Sequence, residues 1–72
     1  MMDATAALEH MRNPKSLGVR TGNIDCFMIG TTGVIECDSP SGNGTVDVTP
    51  SEFVERFAHH CFRELHSGDF GR

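Results

Sequence analysis

Apolar residues near the C-terminal end of the chain recur with the period of a helix. The set that repeats at steps of three and four residues comprises Phe53, Val54, Phe57, Ala58, Cys61, Phe62 and Leu65. A stripe of this width is typical of a helix that packs one face against a core. The pattern therefore predicts a helix over residues 49–68 that ends at Gly68, followed by a tail over 69–72.

The start of this helix has a specific signal. Thr49 is a favourable N-cap residue, Pro50 suits the first helical position, and Glu52 has the spacing that completes a capping box. Val48 and Phe53 flank the cap at the spacing of a hydrophobic staple. Both polar and apolar contacts therefore favour a helix that begins after residue 49.

A shorter helical pattern covers residues 1–13. Asp3 can cap its first turn, and Pro14 ends it because the residue before a proline avoids helical backbone angles. Its apolar face comprises Ala4, Ala7, Leu8 and Met11. A helix of about ten residues is marginal in isolation, so this one has to dock against the rest of the chain.

Between the two helices the pattern changes to the period of a strand. The turn signal 30–33 separates two apolar runs, and a loop flanked by its two glycines places Cys26 opposite Cys37. This register gathers one apolar face that comprises Ile24, Cys26, Met28, Ile35 and Cys37. A slip of one residue in either strand would send part of this set to the other face, so the pattern supports the register.

Two further strands complete the predicted sheet. Val46 and Val48 extend the apolar face on a third strand that leads into the C-terminal helix. Leu17 and Val19 alternate with other residues in the pattern of a short edge strand. The prediction is an α+β protein, in which a three- or four-stranded antiparallel meander carries the C-terminal amphipathic helix on one face, together with a short N-terminal helix.

At 72 residues the chain has the size of one small domain. Its predicted parts are the N-terminal helix over 1–13, the sheet over 15–48, the C-terminal helix over 49–68 and the tail over 69–72. The formal charge of −4 argues against non-specific binding to nucleic acid or to a membrane surface. An odd number of cysteines, with no signal sequence and no long apolar run, favours a reducing, cytoplasmic location.

The second face of the predicted sheet carries four carboxylates. The register places Asp25 opposite Asp38. It also places Phe27 opposite Glu36. If Asp47 on the third strand lies beside Glu36, the four carboxylates gather at one end of this face. Directly opposed like charges destabilise a sheet. The acids could therefore bind a divalent cation, bind Lys or Arg side chains of a partner, or simply point into water.

Phe27, Ile29 and Val34 form the apolar half of the same face. If the N-terminal helix packs there, the sheet carries one helix on each face. If it does not, the three side chains form an exposed patch of the kind that marks an interface. A second copy of the chain is one partner that would cover such a patch.

The cysteines, histidines and basic residues have weaker patterns. Cys26, Cys37 and Cys61 could bind zinc with a histidine, but their spacing matches no zinc motif, and burial as small apolar residues is the commoner explanation. A cross-strand disulfide between Cys26 and Cys37 is geometrically conceivable. The remaining polar candidates are Glu55 with His59, His60, Arg63 and His66 on or near the helix, and the basic group Arg12, Lys15 and Arg20.

The sequence shows no catalytic triad, phosphate loop or cofactor motif, so no enzyme and no cofactor is predicted. The expected function is a non-enzymatic protein-interaction module, namely a binder, an adaptor or an inhibitor such as those that phages encode. Its partner is another protein or a second copy of itself. The predicted contact residues are Asp25, Phe27, Ile29, Val34, Glu36 and Asp47. The alternative is a small-ligand or divalent-cation binder that uses Asp25, Glu36, Asp38 and Asp47.

Overall fold

A computed structural model of the protein describes residues 1–30, 33–38 and 44–70. Within these residues the elements are α1 (Ala4–Arg12), β1 (Val19–Thr21), β2 (Ile24–Met28), β3 (Ile35–Asp38), β4 (Thr45–Val48), α2 (Pro50–Arg56), β5 (Arg63–Glu64) and a 3₁₀ helix (Ser67–Phe70). The strands form one antiparallel sheet in the order β4-β3-β2-β1-β5. The predicted α+β class is confirmed, and β5 adds a strand that the sequence pattern did not indicate.

The predicted register of the central hairpin is confirmed. Cys26 lies opposite Cys37, and Glu36 lies between Phe27 on β2 and Asp47 on β4. Because alternate residues of these strands are apolar, a slip of one residue would send part of the apolar set to the other face of the sheet. The tip of the predicted turn, residues 31–32, lies outside the described residues.

Both helices pack on this apolar face. Their buried side chains form one cluster with those of the strands, comprising Ala4, Ala7, Leu8, Met11, Val19, Cys26, Ile35, Cys37, Val48, Phe53, Phe57 and Phe62. The N-cap of α1 is as expected, since the Asp3 carboxylate accepts a hydrogen bond from the Ala6 N–H at 2.9 Å. The alternative in which α1 covers the second face, over Phe27, is therefore excluded.

The predicted start of α2 is confirmed. The Thr49 hydroxyl accepts a hydrogen bond from the Glu52 N–H at 3.2 Å, and the Glu52 carboxylate accepts one from the Thr49 N–H at 3.0 Å. These two bonds complete the capping box. Phe53 at the first turn is fully buried, so the helix enters the core immediately after its cap.

The predicted end of this helix, Gly68, is wrong, because α2 ends at Arg56. Phe57 and Phe62 are both buried, but Phe62 lies beyond the end of the helix. Phe62 instead exchanges two backbone hydrogen bonds with Met2, at 2.7 and 2.9 Å. Pairing with the N-terminal segment therefore replaces the last three turns of the predicted helix.

The short α2 changes the burial of several predicted core residues. Cys61 is exposed, because it lies in the irregular segment that replaces the helix. Val46 is 50% exposed, because no helical turn extends over it. Phe62 and Leu65 are buried as predicted, although they flank β5 and do not lie on a helix.

Residues 63–70 pack against the rest of the protein, whereas the sequence predicted a tail over 69–72. β5 pairs with β1, and the Leu65 N–H donates to the Gly18 carbonyl at 2.9 Å. The following 3₁₀ helix brings Asp69 and Phe70 onto the sheet face that the helices leave open, where they contact Arg20, Arg63 and Phe27. Residues 71–72 lie outside the described residues.

Candidate functional site

We call the sheet face opposite the helices the outer face. One row of side chains crosses it from edge to edge through Thr45, Asp38, Asp25, Arg20 and Arg63. A neighbouring row contains Asp47, Glu36 and Phe27. The four predicted carboxylates therefore lie on two adjacent rows, as the register indicated, but they have different surroundings.

Arg20 neutralises Asp25. The Arg20 Nε donates to Asp25 Oδ1 at 2.5 Å and its Nη2 donates to Oδ2 at 3.0 Å, so the contact is bidentate. The hydrogen bond to Asp25 is the main cause of the raised pKa of Arg20. This carboxylate is therefore already satisfied inside the chain.

The sequence pattern does not indicate this ion pair, because it places Arg20 in one basic group with Arg12 and Lys15. The available signal was the short segment between β1 and β2. Gly22, with φ +58°, opens a two-residue loop, and such loops join adjacent antiparallel strands. Applying the hairpin register to this loop pairs Arg20 with Asp25.

Asp69 fastens the C-terminal segment to the outer face. Its carboxylate accepts hydrogen bonds from Arg63 at 2.9 and 3.2 Å and from the His66 N–H at 2.7 Å. Arg20 Nη1 lies 3.7 Å from Asp69 Oδ1. These donors, Arg63 foremost, hold the pKa of Asp69 well below its usual range. The half of the outer face formed by β1 and β5 is therefore a network of paired charges.

The predicted apolar patch is partly covered by this same segment. The rings of Phe27 and Phe70 lie with centroids 6.2 Å apart, and Phe27 also lies against the backbone of Gly18. Phe27 and Val34 are half-buried, and Ile29 is 38% exposed. The remaining apolar surface is therefore smaller than the sequence suggested, and it adjoins Glu36 on β3.

Glu36, Asp38 and Asp47 make no ion pair with any described residue. We call these three residues the acidic strip. Glu36 is half-buried, whereas Asp38 and Asp47 are exposed, and Glu36 lies directly opposite Asp47. The β3–β4 half of the outer face thus carries like charges that no described residue compensates, in contrast to the β1–β5 half.

A metal site receives no support from this geometry. Among the described residues, no three His, Cys, Asp or Glu side chains lie close enough together to hold a metal ion. The four carboxylates predicted as cation ligands, Asp25, Glu36, Asp38 and Asp47, are all described. The three cysteines also have different environments, since Cys26 and Cys37 are buried and Cys61 is exposed.

The early end of α2 leaves a groove of about 200 Å³ on the helix-bearing face. Its lining comprises Ile24, Cys37, Gly44, Val46, Val48, Arg56 and Phe57. Cys37 lies beside Cys26 there, and a hydrogen bond with Cys26, aided by the charge of Arg56, lowers the pKa of Cys37. The same contact and burial raise the pKa of Cys26. Cys26 is fully buried, whereas Cys37 lines the groove, so the two thiols have different surroundings although they face each other.

The other polar candidates do not form a common site. Arg12 pairs with Glu9 at 3.0 Å along α1, which separates it from Arg20. His60 Nδ1 lies 3.2 Å from the hydroxyl of buried Thr21, and its ring contacts Phe57, so it has a structural role. The basic group that the sequence suggested is therefore divided among separate local contacts.

Comparison of the chain with protein-family models, with curated proteins and with solved structures finds no match. The described helices include none with the length and apolar character needed to cross a membrane. The function therefore has to be inferred from the geometry of the outer face.

Proposed function

We propose that the protein is a non-enzymatic interaction module that binds a basic surface of another protein through the acidic strip. The observation that carries this proposal is the direct opposition of Glu36 and Asp47 across β3 and β4, with no cation supplied by the described residues. Such an opposition destabilises a sheet by up to about 1 kcal/mol relative to neutral residues.

The distribution of positive charge on the outer face supports this proposal. Arg20 and Arg63 lie on β1 and β5, where they pair with Asp25 and Asp69. The strands of the acidic strip, β3 and β4, contain no Lys or Arg. Lys or Arg side chains of a partner would complete the pairs that the strip lacks, and charge complementarity of this kind mainly sets specificity and association rate.

The apolar residues beside the strip would add contact area. Phe27 lies opposite Glu36, and Ile29 is 38% exposed at the end of β2. A second copy of the chain is a less suitable partner for the strip, because two-fold pairing would bring identical acids together. A basic surface with an apolar neighbour is the complement that fits this face.

The experiment compares two variants that each remove one carboxylate. Asp47→Asn alters the acidic strip, whereas Glu55→Gln alters an exposed acid on α2 that lies on a different element. Each protein is immobilised and incubated with a lysate of the cells that contain the protein, and the captured proteins are quantified by mass spectrometry at low and high salt.

We expect at least one protein to be captured by the wild type and by Glu55→Gln, lost with Asp47→Asn, and released by salt. Glu36→Gln should reproduce the loss. Equal capture by all the variants would show that the strip does not mediate binding. Equal loss with Asp47→Asn and Glu55→Gln would show that only net charge matters.

A further inference from the structure

Cys26 and Cys37 face each other at a position of the β2–β3 ladder that suits a disulfide. The Ile29 N–H donates to the Val34 carbonyl at 2.8 Å, which identifies that pair as a hydrogen-bonded one. Hydrogen-bonded and non-hydrogen-bonded pairs alternate along an antiparallel ladder, so the Cys26–Cys37 pair, three steps away, is a non-hydrogen-bonded one. The Cα atoms of such pairs are about 4.5 Å apart, within the range that a disulfide spans.

The two thiols differ in their access to solvent. Cys26 is 0% exposed, whereas Cys37 is 9% exposed and forms part of the groove left by the short α2. Arg56 lines the same groove, and its charge favours the thiolate of Cys37, although Asp47 acts in the opposite sense. A small oxidant that enters the groove therefore reaches Cys37, which lines the groove, before Cys26, which lies opposite Cys37 on β2.

We infer that Cys26 and Cys37 form a redox-active dithiol site, which hydrogen peroxide converts to a disulfide. The Cys37 sulfur attacks one peroxide oxygen, the O–O bond breaks, and the products are a sulfenic acid and water. The Cys26 sulfur then attacks the Cys37 sulfur, the S–O bond breaks, and the Cys26 proton leaves with the hydroxide as water. Two thiols are oxidised and one peroxide is reduced to two waters. This inference does not rest on the proposed binding function of the acidic strip.

Cys61 provides an internal control, because it is an exposed thiol on the irregular segment after α2. Trypsin separates it from the pair: cleavage after Arg20 and Arg56 releases peptide 21–56 with both Cys26 and Cys37, and Cys61 lies in peptide 57–63. The folded wild-type protein is treated with limiting peroxide, and the remaining thiols are alkylated. After digestion, the masses of both peptides are measured by mass spectrometry.

We expect peptide 21–56 to lose both alkylation sites, as an internal disulfide requires, while Cys61 is still alkylated. Oxidation of Cys61 first, or a pair that stays reduced until urea unfolds the protein, would overturn the inference. This measurement needs no variant, so it does not depend on a substituted chain folding.

Two substitutions test the separate roles of the thiols. In the Cys61→Ala background, Cys26→Ala should leave a sulfenic acid on Cys37 that dimedone traps, whereas Cys37→Ala should leave Cys26 unreactive. Trapping at Cys26 and not at Cys37 would contradict the assigned order of attack.

A charge substitution tests the role of the groove. In the same background, Arg56→Ala should slow disulfide formation by about fivefold, because it removes the positive charge beside the Cys37 sulfur. Lys15→Ala is the matched control, since it removes one positive charge outside the groove. Equal rates in these two variants would contradict the role given to Arg56.

Discussion

Glu36 on β3 and Asp47 on β4 are register partners on the outer face, and no described residue places a positive charge between them. Arg20 and Arg63 neutralise carboxylates on the other half of the same face. Among the described residues, the carboxylates of this face are therefore paired with cations at β1 and β5 but not at β3 and β4. This asymmetry is the basis of the proposed binding function.

The capping box of α2 gives a first prediction. Thr49→Ala should lower the free energy of unfolding by about 0.5–2 kcal/mol, because the Glu52 N–H loses its acceptor. Thr49→Ser keeps a hydroxyl and should remain within a few tenths of a kcal/mol of wild type. Urea denaturation measures both, and an unchanged midpoint for Thr49→Ala would contradict the role of the cap.

The features that the sequence predicted well depend on short-range patterns. The capping box needs only the four residues from Thr49 to Glu52. The β2–β3 register depends on a turn signal and on two alternating strands that agree with each other. The register with Cys26 opposite Cys37 determines the outward-facing pairs of β2 and β3, whereas the position of Asp47 beside Glu36 also requires the pairing of β3 with β4.

The features that the sequence did not predict depend on long-range pairing. Phe53, Phe57, Phe62 and Leu65 are all buried, but spacing alone cannot distinguish one long helix from a short helix followed by a strand. Backbone hydrogen bonds from Phe62 to Met2 and from Leu65 to Gly18 stabilise the short helix followed by a strand, and they connect distant parts of the chain. The contact of Phe70 with Phe27 likewise joins residues that are far apart in the sequence.

Gly18 gives a second prediction. Its φ is +107°, and a Cβ atom there would lie 2.5 Å from the Cys26 carbonyl oxygen and 2.8 Å from the Phe27 ring. Gly18→Ala should therefore lower the free energy of unfolding by about 1–3 kcal/mol. Gly22→Ala is the control, since φ there is +58° but no atom lies within 4 Å of the added Cβ.

Thermal or urea unfolding should show that Gly18→Ala lowers the free energy of unfolding clearly more than Gly22→Ala does. Equal losses would mean that backbone strain alone explains both, and that the close contact between Gly18 and Phe27 is unimportant.

Asp69 gives a prediction for pH. Its pKa is depressed in the folded protein, so its contribution to stability is present above its ordinary pKa of about 3.9 and is lost as the pH falls towards the folded-state value. Asp69→Asn should therefore be less stable than wild type at neutral pH, and the difference should shrink below about pH 4. Thermal unfolding followed by circular dichroism across this pH range measures the stability difference. A difference independent of pH would contradict an ionic role for Asp69.

Phe70 gives a prediction for self-association. We expect weak self-association of the wild type that strengthens with salt, because salt screens the acids beside the apolar patch. Phe70→Ala removes the ring that covers Phe27 and should strengthen self-association further. Adding Phe27→Ser to Phe70→Ala should abolish this increase in self-association. Sedimentation velocity at low and high salt distinguishes these outcomes. If all three proteins sediment as monomers in both buffers, the patch does not drive self-association.

The most direct test of the central claim, that no described residue compensates the charge of the acidic strip, is the stability of the double variant Glu36→Gln with Asp47→Asn. At low salt we predict a free energy of unfolding higher than wild type by about 0.2–1 kcal/mol, because a repulsive cross-strand pair is removed. The gain should shrink at high salt, and Glu55→Gln should show no comparable gain. A double variant no more stable than wild type at low salt would contradict the claim.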